Sequence, residues 1–144
     1  MDMHILRVRQ FRKQMRRVRG ASMNHPEYAI QVALVGWCDV IACAYPDVGR
    51  YIATDPAGAR TPQAGLRRKR MGVRAGVPDI CWPAARKGFH GLWIELKADK
   101  GRLSPAQTEW LSYLATAGHM AVVCHGLQEA IDAVAGYFDV KVAR

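Results

Sequence analysis

The chain reads as one α/β domain, a mixed β-sheet flanked by helices in the order α-β-β-β-α-β-α. Three observations predict this architecture. Half of the 144 residues are hydrophobic, which is enough for a packed core. Apolar stripes at helical spacing alternate with short apolar runs bounded by Gly and Pro. Between Leu92 and Cys124 a strand, a capped helix and a second strand follow one another, the order of a crossover that leaves its two strands parallel. No internal repeat is visible.

The elements follow from local signals. Met1 to Arg19 carries Ile5, Val8, Phe11, Met15 and Val18 three or four apart, so it reads either as a basic helix or as an arm that orders on a partner. The expected division is a basic arm over 1–22 and a folded domain over 23–144. Asn24 opens the first firm helix with Pro26 in its first turn, and Ile30, Ala33, Leu34, Trp37 and Ile41 form its apolar stripe. Tyr45, Pro46 and Asp47 end it in a turn. Val48 to Ala53 reads as a strand, and Asp55 to Gly65, rich in Pro, Gly and Ala, as a loop. The basic cluster that follows forms a short helix. Asp79 to Trp82 is a strand stopped by Pro83, and Leu92 to Lys97 is the next. Ser104 at N-cap, Pro105 at N1 and Gln107 at N3 start a helix that runs to Gly118. Met120 to Cys124 is the last strand, and Leu127 to Phe138 the closing helix.

Composition narrows the function. A net charge of +9 and a pI near 9.8 favour a polyanionic partner. Seven cations (Arg7, Arg9, Arg12, Lys13, Arg16, Arg17, Arg19) crowd residues 1–20, and Arg67, Arg68, Lys69, Arg70 and Arg74 form a second cluster. Such runs are often solvated surface alone; their place beside the motif described next favours contact with nucleic acid. Cys38, Cys43, Cys81 and Cys124 have no metal-site spacing and read as reduced thiols. No apolar run approaches the roughly 20 residues that span a bilayer. No secretion signal is recognisable at the start, so the cytoplasm is the expected location.

The chemistry lies between Gly76 and Lys97. In a strand from Leu92 to Lys97, Leu92, Ile94 and Leu96 face one side and Trp93, Glu95 and Lys97 the other. Asp79, just after Val77–Pro78, lies on the strand expected to pair with it. Two carboxylates converging on one point attract a hard cation that prefers oxygen ligands, such as Mg²⁺. A lysine beside them can orient a water or offset charge developing on a phosphate. These are the parts of a metal-assisted phosphodiester hydrolysis. Taken singly, Asp79 is as compatible with a solvated strand end, and Glu95 with Lys97 as a weak surface pair.

The ordered blocks Gly76–Val77–Pro78–Asp79, Ile94–Glu95–Leu96–Lys97 and Ser104–Pro105–Ala106–Gln107 resemble the VRR-NUC branch of the PD-(D/E)xK nuclease superfamily. The resemblance spans roughly Pro26 to Phe138. It implies a restriction-endonuclease-like fold and a catalytic set of Asp79, Glu95 and Lys97. It also implies Mg²⁺, with Mn²⁺ as a substitute, held by Asp79, Glu95 and the Leu96 carbonyl. Glu27 fits the family's additional helix glutamate at the metal, or simply completes a capping box with Asn24. Gln107 fits the family's glutamine near the active site, or only caps its helix. Trp93 either stacks on a base or packs under the first helix. Arg67, Arg68, Lys69, Arg70, Arg74, Arg12 and Arg16 are the expected DNA contacts.

The implied activity is that of a DNA endonuclease of replication or repair, acting as a homodimer on branched, Holliday-junction-like DNA inside a bacterium or phage-infected cell. The rival expectation is a DNA-binding module that keeps the fold without catalysis. Loss of Asp79, Glu95 or Lys97 would mark that rival, and none is lost. The chain departs from the family at 55–70, where an Asn-Gly-Gly-Arg-like turn appears only as Asp55–Pro56–Ala57–Gly58–Ala59–Arg60.

Overall fold

The first helix, α1 (Pro26–Ile41), buries Ala33, Leu34, Trp37 and Cys38 along the stripe that its sequence marks. Ile30 and Ile41 lie half-buried at its margins. The computed structural model describes residues 26–54 and 61–141. The expected arm at 1–22, with Arg12 and Arg16, lies outside the described residues, as do the cap at Asn24 and the turn at 55–60.

Two boundaries differ from those expected. Pro46–Gly49 forms a 3-10 turn that pulls Val48 fully into the core. The Val48 carbonyl then accepts the Trp82 indole N–H at 2.8 Å, so it is not available to a neighbouring strand. The strand expected over 48–53 therefore shrinks to β1 (Ile52–Ala53). Conversely, part of the expected loop is helical: α2 (Pro62–Arg70) starts at Thr61, whose hydroxyl accepts the Ala64 N–H at 3.2 Å, with Pro62 at the first helical position. No residue of α2 is buried, so the helix is a cationic projection.

The other elements follow their signals. β2 (Ile80–Trp82) and β3 (Leu92–Lys97) pair antiparallel, α3 (Pro105–Thr116) crosses over, β4 (Met120–His125) pairs parallel with β3, and α4 (Leu127–Phe138) closes the domain. The strand order is β1-β2-β3-β4. This is the mixed α/β sheet predicted, with helices packed on it. Ile80 and Trp82 of β2 and Leu92, Ile94 and Leu96 of β3 form the central core. Leu34 and Trp37 of α1 and Ala130, Val134, Tyr137 and Phe138 of α4 complete it. Alternation along β3 sends Glu95 and Lys97 to the opposite face, toward α3. Among the described residues no helix is long and apolar enough to cross a membrane.

Candidate active site

The register Ile80↔Ile94 places Asp79 opposite Glu95 at the next position, with both side chains on one face of the sheet. Asp79 Oδ2 accepts the Leu96 N–H at 2.7 Å. The N–H and C=O of one strand residue project to the same neighbour, so the Leu96 carbonyl also faces the Asp79 side while its side chain is buried. Thr54 fixes the Asp79 backbone. Its amide and hydroxyl donate to the Asp79 carbonyl at 2.9 and 3.1 Å, and the hydroxyl also reaches the Pro78 carbonyl at 2.8 Å.

Glu95 is 2% exposed, a rare situation for a carboxylate. Its Oε1 lies 3.1 Å from Lys97 Nζ and also accepts a short hydrogen bond from Gln107 Nε2. Its Oε2 is buried with no partner among the described residues. Lys97 Nζ lies 3.7 Å from Glu27 Oε1 as well, which ties α1 to the site. Gln107 caps its helix, its Oε1 accepting the Ser104 N–H in a complete capping box, and its amide also donates to Glu95.

The electrostatics follow from burial. Burial, then the Asp79 charge, pushes the Glu95 carboxyl up to about 7 against the pull of Lys97. Burial also raises Asp79, opposed by the Leu96 N–H and by Lys97. For Lys97, burial works downward, yet its pairing with Glu95, Glu27 and Asp79 outweighs it and holds the ammonium above its ordinary value. The pocket thus holds more negative charge than a single lysine balances.

Among the described residues, no three His, Cys, Asp or Glu side chains close on one point as a ready-made metal cage. This arrangement still fits Mg²⁺, which keeps several waters and is commonly held by one or two carboxylates together with substrate phosphates. The orphaned Glu95 Oε2, beside a second destabilised carboxylate, is the feature that a hard cation would satisfy. All the oxygens within reach are of the hard type that it prefers.

Arg67, Lys69 and Arg70 are exposed on α2, Arg68 is half-buried there, and Arg74 is exposed in the loop that leads to Asp79. They form a cationic surface next to the site in sequence. Trp93 does not settle under α1: its ring meets the His119 ring edge-on at 6.2 Å. Sequence reasoning missed Thr54 and the role of Gly76. A lone Thr after a two-residue strand carries no signal, whereas Gly76 does, because the tight Gly–Val–Pro–Asp turn needs its φ of +85°.

The chain resembles known proteins in sequence and in fold. The profile of the VRR-NUC domain matches residues 26–128. A solved VRR-NUC domain protein superposes with a TM-score of 0.64 at 28% identity, covering 80% of this chain and 89% of its own. The Fanconi-associated nuclease 1 homolog of Schizosaccharomyces pombe is 40% identical over 52 residues, 35% of this chain. The chain spans only 7% of that relative's length.

Proposed function

The chain belongs to the VRR-NUC family of nucleases, and from that premise we propose that it is a Mg²⁺-dependent DNA endonuclease of replication or repair. One observation carries the reading. Asp79, Glu95, Lys97 and Gln107 meet at one end of the β2–β3 pair, with a buried Glu95 oxygen left without a partner among the described residues.

Asp79, Glu95, Glu27 and the Leu96 carbonyl would hold the cation, and Mn²⁺ would suit the same oxygens. When bound, the cation supplies a Lewis acid that polarises a phosphoryl oxygen and acidifies water. The chain's own groups do the rest. Lys97, held by Glu95, presents its ammonium to the attacking water and to the charge that develops on phosphorus. Gln107 fixes the rotamer of Glu95, and the Leu96 N–H fixes that of Asp79, so the carboxylates are set before substrate arrives. Arg67, Arg68, Lys69, Arg70 and Arg74 neutralise backbone phosphates and orient the strand.

The preferred substrate is branched DNA and the working form a homodimer. A symmetric junction offers two equivalent strands, and a two-fold dimer sets two sites at a fixed separation to meet them. Purified protein with Mg²⁺ should cut a four-way junction or flap faster than linear duplex, and EDTA should abolish cutting. Light scattering at micromolar concentration should give a dimer. Tight binding without cleavage in any divalent metal would instead favour the DNA-binding module.

A further inference from the structure

Beside the site lies a recess of about 300 Å³ lined by Ala75, Ala106, Glu109, Trp110 and Tyr113. Ala106, Glu109, Trp110 and Tyr113 recur at helical spacing, so they share one face of α3. Ala75 supplies the opposite wall. Both walls lead directly into the catalytic residues: Ala106 precedes Gln107, which touches Glu95, and Ala75 lies four residues before Asp79. Gly76 locks the walls together, since a Cβ there would meet the Ala106 carbonyl carbon at 2.5 Å.

We propose that this recess takes one unstacked base of the DNA strand being cut, a nucleotide or two from the scissile phosphate. The inference rests on the nuclease reading and names what positions the strand there. The chemistry selects the occupant. Tyr113 is 62% exposed, and its ring stands edge-on to Trp110 at 5.8 Å, so the recess offers both an aromatic face and an aromatic edge. Aromatic side chains on single-strand-binding surfaces serve as stacking platforms for unstacked bases.

The exposed Glu109 carboxylate repels a phosphate but accepts an exocyclic amine, as glutamate does from cytosine N4. Arg74, adjoining Ala75, is exposed and is suited to the phosphate of the same nucleotide. Cation outside, aromatic and carboxylate inside is the charge order of a nucleotide held base-first. The recess should therefore favour cytosine, adenine or guanine over thymine.

The test is an abasic walk. Binding of a four-way junction is measured in Ca²⁺, one nucleotide around the branch at a time being replaced by an abasic residue. This is done with wild type, Tyr113→Ala, Trp110→Ala and Glu109→Gln. One abasic position should weaken wild-type binding about tenfold, the scale of one base–aromatic stack. Tyr113→Ala should lose about the same on intact DNA and nothing more on that abasic DNA. Glu109→Gln should erase the preference against thymine there. Tyr113 is exposed, so its removal leaves the fold standing even if Trp110→Ala does not. No sensitive position, or equal further loss in Tyr113→Ala on every abasic substrate, overturns the base site. Because Ca²⁺ binding needs no cleavage, a failed base site remains distinguishable from a failed nuclease.

Discussion

Glu95 is where burial and charge conflict most directly. A carboxylate with one oxygen orphaned inside the protein costs on the order of 1–3 kcal/mol, and the surrounding residues hold it there regardless. Glu27 differs, with its side chain 48% exposed and 3.7 Å from Lys97. The carboxylate is half open to solvent, and the buried Lys97 keeps Glu95 at 3.1 Å without it, so this longer contact contributes at most about 1 kcal/mol to stability. Glu27→Gln should therefore leave the melting temperature nearly unchanged. If Glu27 holds the cation, cleavage should fall about tenfold or more. A lowered melting temperature with full activity would reduce Glu27 to a structural partner of Lys97. The shared face of Asp79, Glu95 and Lys97 was legible because strand periodicity fixes their direction, whereas only the family resemblance put Gln107 near them. Thr54 was not legible, since its role depends on a strand pairing that only the fold creates.

At the scale of elements, the close approach of the Gly76 turn to α3 sets the distance between Asp79 and Gln107. Gly76 and Gly72 both have positive φ, +85° and +89°, but a Cβ on Gly72 meets nothing within 4 Å. Gly72→Ala should cost about 1 kcal/mol, from backbone strain alone. Gly76→Ala adds a clash with backbone, worth roughly 1–3 kcal/mol more, and should reduce cleavage as well. Equal destabilisation of the two variants in urea unfolding would mean that the approach is slack. For α2, replacing the exposed Arg67, Lys69 and Arg70 with Gln should flatten the salt dependence of DNA binding, by about 0.9 in log–log slope for each phosphate no longer neutralised. An unchanged slope would make α2 a spectator. The helix from Pro105 was legible because Ser104, Pro105 and Gln107 agree, and α2 carried the same kind of start at Thr61–Pro62. Its Gly and Ala content hid that start, and with no buried face it had no apolar stripe to reveal it. The start of β1 was misplaced for the opposite reason: Val48 to Ala53 read as one strand, yet Val48 belongs to the core beneath a 3-10 turn.

Across the whole molecule, the parallel β3–β4 pair was legible because a capped helix between two apolar runs permits little else. That crossover brings α3 over the Glu95 face, and the antiparallel β2–β3 pair brings Asp79 to the same place. The fold thus assembles one small acidic site with a lysine inside it. Lys97 tests most directly whether that site is catalytic, because its proposed role lies in cleavage and not in binding DNA. Cleavage of a four-way junction in Mg²⁺ should be compared for wild type and Lys97→Ala, with affinity in Ca²⁺ and melting temperature recorded alongside. Cleavage should fall at least about a hundredfold while affinity changes less than about threefold and the protein stays folded. Full-rate cleavage by a folded Lys97→Ala protein would contradict that role.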